Sequence, residues 1–524
     1  MAPLPLDILT QRMERAWRRK DFWSSQLTEA YALATPSRNM FQQGRTPGDT
    51  QGELLYDGTL QNATSNLANK LQAEYFSSFS KFLRVVPGVA FESAVENIEQ
   101  REQIQKEINQ VNAVHEAAME ISNFDQAVGE MLIDYSVGTG FMMPRKGTRD
   151  RPLEYLAVNP AHIAMSEGPN SEIWEYYRKH KLYPRLVQAT WESMGGEYSD
   201  KWVKWAEDEE NNAQRITVEE AIYFSREDDT WYFVLLCDDA PELNGSEEKY
   251  KIVETKVGKT WLSPRWMLEA GEVWGRGPVL QALPEARVLN EIKKLLLQNA
   301  SVSLFPPMTA VDDVDFNPAM FSFEPAYINM VSRNGGPLGA AIQKLDVGGD
   351  LRMGQFIFQE IQANIKKIML DDNLPSLAGA VHTPTEIMER KRELQQNKAA
   401  PFGRLAKEFM RPLAQSNLNI LAELKLIKPI KLDGLVFDLQ IMNPTAQIQR
   451  EEKIIDLERS MEVVAKINPA IIPMAYRVEH IPQWTADLLG VNPELLRTSA
   501  EVKKMQEMAA QAQQQNPEVA ASVN

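Results

Sequence analysis

Two long segments with helical spacing of apolar residues, 278–300 and 350–370, stand on either side of a proline-rich insert, 301–349, that carries the Gly335-Gly336 and Gly348-Gly349 pairs. In the first segment Val288, Leu289, Ile292, Leu295 and Leu296 are apolar, while Glu285, Glu291, Lys293, Lys294 and Gln298 are polar. Such spacing puts one apolar stripe on each helix. Two long striped helices around an irregular insert are an odd arrangement for a monomer.

The remaining chain is organised around this pair. Residues 6–34, 60–82, 95–123 and 124–135 show helical periodicity, so the first quarter reads as mostly helical. From Gly138 to about residue 270 short β-branched and aromatic runs alternate with turn residues, which predicts a small, mostly antiparallel sheet. Pro284 is expected to start or kink the helix that resumes after Gly277. A loop over 371–384 leads to a helical region over 385–427 that Pro401 and Pro412 are expected to break or kink. From Met442 onward the chain reads as helical, ending in a Met/Ala/Gln-rich stretch over 505–515 expected to form a helix that buries little surface.

Composition narrows the function classes. There are 56 Lys plus Arg against 72 Asp plus Glu, a net charge of −16, which argues against a protein that coats nucleic acid through bulk positive charge. Any DNA contact is expected to be local and weak. One cysteine, Cys237, excludes an internal disulfide framework and a cysteine-based zinc site, and reads as a core residue at the end of an apolar strand. Residues 1–20 show no apolar signal core, and the longest apolar run, 231–237, is far short of the roughly 20 residues of a spanning helix. A soluble chain in a reducing compartment is expected, without a membrane partner.

No catalytic constellation appears. Gly258-Lys-Thr260 resembles the end of a phosphate-binding loop, but the required first glycine falls on Val253, so a hairpin turn is expected there. Gly138-Thr-Gly140 lacks the third glycine of a dinucleotide fingerprint. Asp312, Asp313 and Asp315, or Asp371 with Asp372, can gather a divalent cation, but acidic loop clusters are usually solvated turns or caps. The histidines His115, His162, His180, His382 and His480 are scattered without ligand spacing.

Four blocks carry a resemblance. Leu60-Gln-Asn-Ala-Thr-Ser-Asn-Leu-Ala-Asn-Lys-Leu71, Glu272-Val-Trp-Gly-Arg-Gly277, Thr383-Pro-Thr-Glu-Ile-Met-Glu-Arg-Lys391 and Glu408-Phe-Met-Arg-Pro-Leu413 resemble, in order and spacing, the head-to-tail connector (portal) proteins of short-tailed bacteriophages. The similarity runs loosely from about residue 8 to about residue 500. Pro284-Glu285 stands where the family more often has Gly-Asp, and Pro384 departs from the third block.

The resemblance implies an α+β, mainly helical portal fold assembled as a ring of typically about twelve subunits, set at one capsid vertex with double-stranded DNA passing along its axis. Residues 1–275 and 385–440 would form the wing, 276–300 and 350–370 the stem helices, 301–349 the clip, 371–384 the tunnel loop and 441–524 the crown. Implied partners are a terminase that docks on the clip, major capsid and scaffolding proteins, tail adaptor or nozzle proteins and internal core proteins. The location would be the head–tail interface of a virion assembled in the host cytoplasm. No enzymatic activity, cofactor or metal is implied.

Lys293, Lys294, Lys366 and Lys367 are the candidate channel or subunit-contact residues; Leu374, Leu377, Ala378, Gly379, Ala380, Val381 and His382 are the candidate tunnel-loop residues. Thr383 and Glu386 have the spacing of a capping box for the helix that follows. Two other classes compete: a metal-dependent nuclease or nucleotidyltransferase using the Asp312 cluster, and a phage scaffold or tail adaptor that binds only protein.

Overall fold

The computed structural model describes residues 4–38, 41, 52, 55–76, 83–88, 90–91, 95, 98–238, 243, 249–304, 308–310, 342–344, 351–371, 401–430, 432, 434, 436–441, 444–467, 476, 481–482 and 484–485. The chain forms two units, Met1–Phe79 with Val85–Leu439, and Ser80–Arg84 with Gln440–Asn524. In the second, Pro444–Ile467 is a helix.

The first unit starts with α1 (Leu6–Ala34), whose buried Leu9, Met13, Ala16, Leu27, Ala30, Tyr31 and Ala34 recur at helical spacing. α2 (Thr59–Tyr75), α3 (Ile98–Glu120) and α4 (Phe124–Val137) follow, with one short strand between α2 and α3. The strands β1 (Met142–Lys146) and β2 (Leu153–Ala157) pair as an antiparallel hairpin. The next five, β3 (Ile163–Glu167), β4 (Ile173–Leu182), β5 (Ile216–Ser225), β6 (Thr230–Cys237) and β7 (Tyr250–Val257), form one antiparallel sheet in sequence order.

That sheet is buried on both faces, as its long apolar runs require. Tyr177, Ala221, Tyr223, Tyr232, Val234 and Leu236 face Leu9, Met13 and Ala16 of α1. The alternate residues, Tyr176, Val218, Ile222, Phe233, Leu235 and Cys237, face Val187, Trp191 and Trp202. Each large apolar side chain buried there contributes about 1.5–3 kcal/mol. The latter three come from α5 (Pro184–Trp191) and α6 (Asp200–Glu207), two short helices between β4 and β5. The sequence reading of this region as sheet missed both. Their signals are local: Pro184 at the first helical position, and Ser199, whose Oγ accepts the Trp202 N–H at 3.3 Å.

Two adjacent carboxylates are polar exceptions in the sheet: Glu219, buried and paired with Lys179 at 2.9 Å and with Lys249, and Glu220. Glu220 is fully buried on β5 and accepts indole N–H bonds from Trp191 (3.2 Å) and Trp261 (3.1 Å), with His180 Nε2 at 3.3 Å. Burial pushes its carboxyl upward, but the bond from His180 and the charges of Arg178 and Arg145 outweigh that and hold it below the usual range. Asp134 on α4 has the opposite balance. Tyr31 donates to it at 2.9 Å and Arg38 at 2.8 Å, yet burial dominates and raises it to about 6.

Pro284 does not start a helix, Pro412 does not break one, and the turn expected at Gly258-Lys-Thr260 is absent. α7 (Pro278–Leu304) starts at Pro278, and Pro284 lies inside it. The helix carrying Pro412 is not broken: a π-turn over Ala406–Met410 precedes α9 (Arg411–Glu423), and the Arg411 N–H reaches back to Ala406 O. The wider turn relieves the clash a proline ring makes with the carbonyl four residues back. Gly258-Lys-Thr260 is likewise no hairpin turn. It links β7 to an extended segment in which Leu262 bridges to Met142 and Arg265 to Thr139.

Candidate channel-wall hairpin

The helix α7 begins at a crossing of two backbones. An added Cβ on Gly138 would lie 2.1 Å from Gly275 O, one on Gly275 2.5 Å from Gly138 O, and one on Gly277 2.2 Å from Ser136 O. Only glycine permits that approach. The Gly277 N–H donates to Val137 O at 2.9 Å and the Gly275 N–H to Thr139 Oγ1 at 2.9 Å. Trp266 N–H donates to Gly138 O at 2.9 Å, closing the crossing. The glycines of the 272–277 block and of Gly138-Thr-Gly140 thus fix where α7 begins. Arg265 beside the crossing is buried and grips Glu408 through Nη2 (2.8 Å) and Nε (3.2 Å).

α7 pairs with α8 (Leu351–Ile368) as an antiparallel hairpin. Beyond it Met308, Thr309 and Ala310 pair in antiparallel register with Lys344, Gln343 and Ile342. The start of α7 is buried through Val279, Leu280, Ala282, Leu283, Ala286 and Leu289. Further along, the apolar stripe runs into solvent: Leu295 is 59% exposed, Leu304 75% and Phe356 on α8 70%. The two helices carry six cations, Arg287, Lys293, Lys294, Arg352, Lys366 and Lys367, against three anions, Glu285, Glu291 and Glu360. The sign of the whole chain is therefore not the sign of the hairpin.

The candidate lysines separate by level. Lys293 Nζ lies 4.9 Å above the Phe358 ring of α8, a cation–π contact that ties the two helices. Lys294 Nζ is 3.6 Å from Glu291 on its own helix. Lys366 and Lys367 are exposed in the last turn of α8. They stand eight and nine residues beyond Phe358, about 12 Å along the axis at 1.5 Å per residue, so the two lysine pairs do not form one cluster. The tunnel-loop residues Leu374, Leu377, Ala378, Gly379, Ala380, Val381 and His382 lie outside the described residues, as do the Thr383–Glu386 capping pair, Asp312, Asp313, Asp315 and the 505–515 stretch.

Polar residues that sequence reasoning missed hold the base of the hairpin. Asn290 of α7 accepts the backbone N–H groups of Tyr56 (2.8 Å) and Asp57 (3.3 Å), and Gln362 of α8 donates to Thr59 Oγ1 at 2.9 Å. At the end of α8, Asp371 accepts from Lys70 Nζ (2.8 Å) and Asn66 Nδ2 (3.0 Å) of α2. The Asp371 N–H returns to Lys366 O at 2.8 Å, with Leu370 in the left-handed region at φ 54°. That is a Schellman-type stop, with leucine where glycine is usual. Arg287 also forks onto Glu29 of α1 at 2.6 and 2.7 Å. Asn66 and Lys70 belong to the 60–71 block, which was the available signal; Asn290 and Gln362 carried none.

Among the described residues no group of three or more His, Cys, Asp or Glu side chains has metal-binding geometry. No described helix is long and apolar enough to cross a membrane.

The profile of the family described as "Bacteriophage head to tail connecting protein" matches residues 6–496. A "Probable portal protein" of Bordetella phage BPP-1 is 24% identical over 266 residues, covering 48% of this chain and 46% of that protein. The chain thus spans about half the length of the curated relative it matches. Among solved structures, a chain of the "Virion of native gene transfer agent (GTA) particle" is 10% identical with a TM-score of 0.35, over 80% of this chain and 92% of its own. A chain of the "Neck of empty GTA particle computed with C6 symmetry" is 10% identical with a TM-score of 0.33, over 80% and 93%.

Proposed function

The chain belongs to the family of bacteriophage head-to-tail connecting proteins, and on that premise we propose that it is a portal subunit. Copies assemble into a ring at one capsid vertex, and double-stranded DNA enters and leaves along its axis. The observation that carries the reading is the α7–α8 hairpin. It projects Leu295, Leu304 and Phe356 into solvent while its base is pinned to α1 and α2 by Arg287–Glu29, Gln362–Thr59 and Asp371–Lys70. A chain that leaves such a stripe in water gains by covering it with the same hairpin of a neighbour, and closure of those contacts makes a wall.

The parts take their places accordingly. Residues 1–275 and 385–440 serve as wing, 276–300 and 350–370 as stem, 301–349 as clip, 371–384 as tunnel loop and 441–524 as crown, in a ring of about twelve copies. Lys366 and Lys367, and the cationic excess of the hairpin, offer DNA a few local contacts inside an otherwise acidic assembly, so the duplex is retarded without being gripped. No active site is needed. Terminase supplies the work of packaging, and tail adaptor or nozzle proteins later occupy the clip, with capsid, scaffolding and internal core proteins around the wing and crown.

Mass photometry and negative-stain imaging of the purified full chain test this. Rings with a central hole are expected. Monomers, or solid or elongated oligomers, at concentrations where the family assembles would overturn it, and magnesium-dependent cleavage of DNA would replace it with a nuclease.

A further inference from the structure

On one outer side of the sheet-bearing part of the first unit α1 bears a stripe of arginines flanked by exposed Asp7, Glu14 and Asp21, and on the other side a helix ends in a run of acidic residues. α1 covers one face of the sheet through Leu9, Met13 and Ala16. Its far side presents Ile8, Arg15, Arg19 and Phe22, spaced so that they share one stripe. Phe22 is 84% exposed, the most exposed large apolar side chain among the described residues, and Arg15, Arg18 and Arg19 beside it are exposed as well. Arg18 also meets Glu14 at 3.3 Å, one turn back. An aromatic ring held in water among guanidinium groups has the composition of an interface anchor.

The helices α5 and α6 cover the opposite face of the same sheet through Val187, Trp191 and Trp202. There α6 ends at Glu207, and the chain continues through Asp208, Glu209 and Glu210, all four exposed, with Lys201 and Lys204 earlier on the helix.

Resting on the ring reading above, we infer that the Arg15–Arg19–Phe22 stripe of one copy docks on the Glu207–Glu210 end of α6 in the next copy. Two features select a second copy as the occupant. The surfaces are complementary in charge, in a chain whose net −16 otherwise makes copies repel. They also lie on opposite sides of one sheet, so the contact runs head to tail, the kind that closes into a ring when its rotation permits. The stem hairpins then need not supply all of the lateral contact. The charged pairing sets the register between neighbours, and Phe22 supplies the apolar anchor.

The experiment is a charge swap in the full chain: R15E/R19E, E207K/E209K, and the variant carrying all four, with ring fraction read by mass photometry at low and high salt. All the exchanged side chains are exposed, and circular dichroism checks that each variant is folded. Each reversal alone is expected to lower the ring fraction about tenfold or more, because like charges then face each other. The four-fold variant is expected to recover most of the loss, and wild-type rings are expected to loosen with salt. Unchanged ring yield in both reversals, or a loss that the four-fold variant does not recover, overturns the contact. A wild-type chain that forms no rings contradicts the portal reading itself, whereas rings indifferent to the reversals contradict only this interface.

Discussion

Replacing Asp371 with alanine should free the end of α8 without unfolding the first unit. The carboxylate accepts one bond from Lys70 at 2.8 Å and one from Asn66 at 3.0 Å, and its own side chain is 9% exposed against 34% for that of Lys70. Hydrogen bonds to charged groups contribute about 1.5–3 kcal/mol each. The partial exposure of Lys70 and of Asn66 reduces that, leaving about 2 kcal/mol for the pair together. A local opening made easier by about 2 kcal/mol raises amide exchange about thirtyfold in the segment concerned. The assay is hydrogen exchange with mass-spectrometric readout over residues 362–371, compared with peptides from the five-stranded sheet. D371A should accelerate the first about thirtyfold and leave the second unchanged. D371N, which keeps one acceptor oxygen, should fall between. Unchanged protection over 362–371 in D371A, or equal acceleration in the sheet, would refute the clamp.

Other outcomes follow from the same geometry. E220A strips the partner from the indole N–H groups of Trp191 and Trp261 and from His180, so urea unfolding of the first unit should show a loss of about 4 kcal/mol; a loss below about 1 kcal/mol would show that Glu220 is not the centre of that site. G275A sets a Cβ 2.5 Å from Gly138 O and 2.9 Å from Arg265 Cβ, and should cost about 3 kcal/mol by the same assay, with a wild-type midpoint contradicting the crossing. His115, buried beside Asn417 Nδ2 at 3.1 Å, is lowered by burial to about 4. Its contribution is complete above its unfolded value near 6.5 and is lost as pH falls towards about 4, about 3 kcal/mol in all. Asp134, raised to about 6 by burial, works the other way, gaining stability as pH falls through that value. The two partly cancel in the wild-type curve, so the measurement is the difference between wild type and H115L over that range. The wild type should lose ground towards acid, and parallel curves would show that His115 does not titrate as described.

The legible parts of this fold were those with a regular trace. The long striped helices declared themselves through one buried stripe, and the strands around residues 216–237 through apolar runs bounded by turn residues, as burial on both faces requires. The short helices α5 and α6 did not, since eight residues show too few turns and their evidence lay in Pro184 and Ser199. Pro412 marked a disturbance of its helix, but the π-turn that absorbs it without a break has no sequence mark. At the hairpin, the lysine pairs were conspicuous in sequence, but nothing there shows that Lys293 lies on Phe358, more than sixty residues away. The clamp at Asp371 was invisible for the same reason: its partners, Asn66 and Lys70, are about 300 residues distant, and only folding brings them together.

The central claim is that the α7–α8 hairpin lines a channel. Cryo-electron microscopy of the assembled full-length protein, at a resolution that traces helices, tests it most directly. The account predicts a closed ring whose axial wall consists of the 278–304 and 351–368 helices of every copy, with Lys366 and Lys367 towards the opening or the neighbouring subunit. A ring whose hairpins point outward, with another element around the axis, would contradict it.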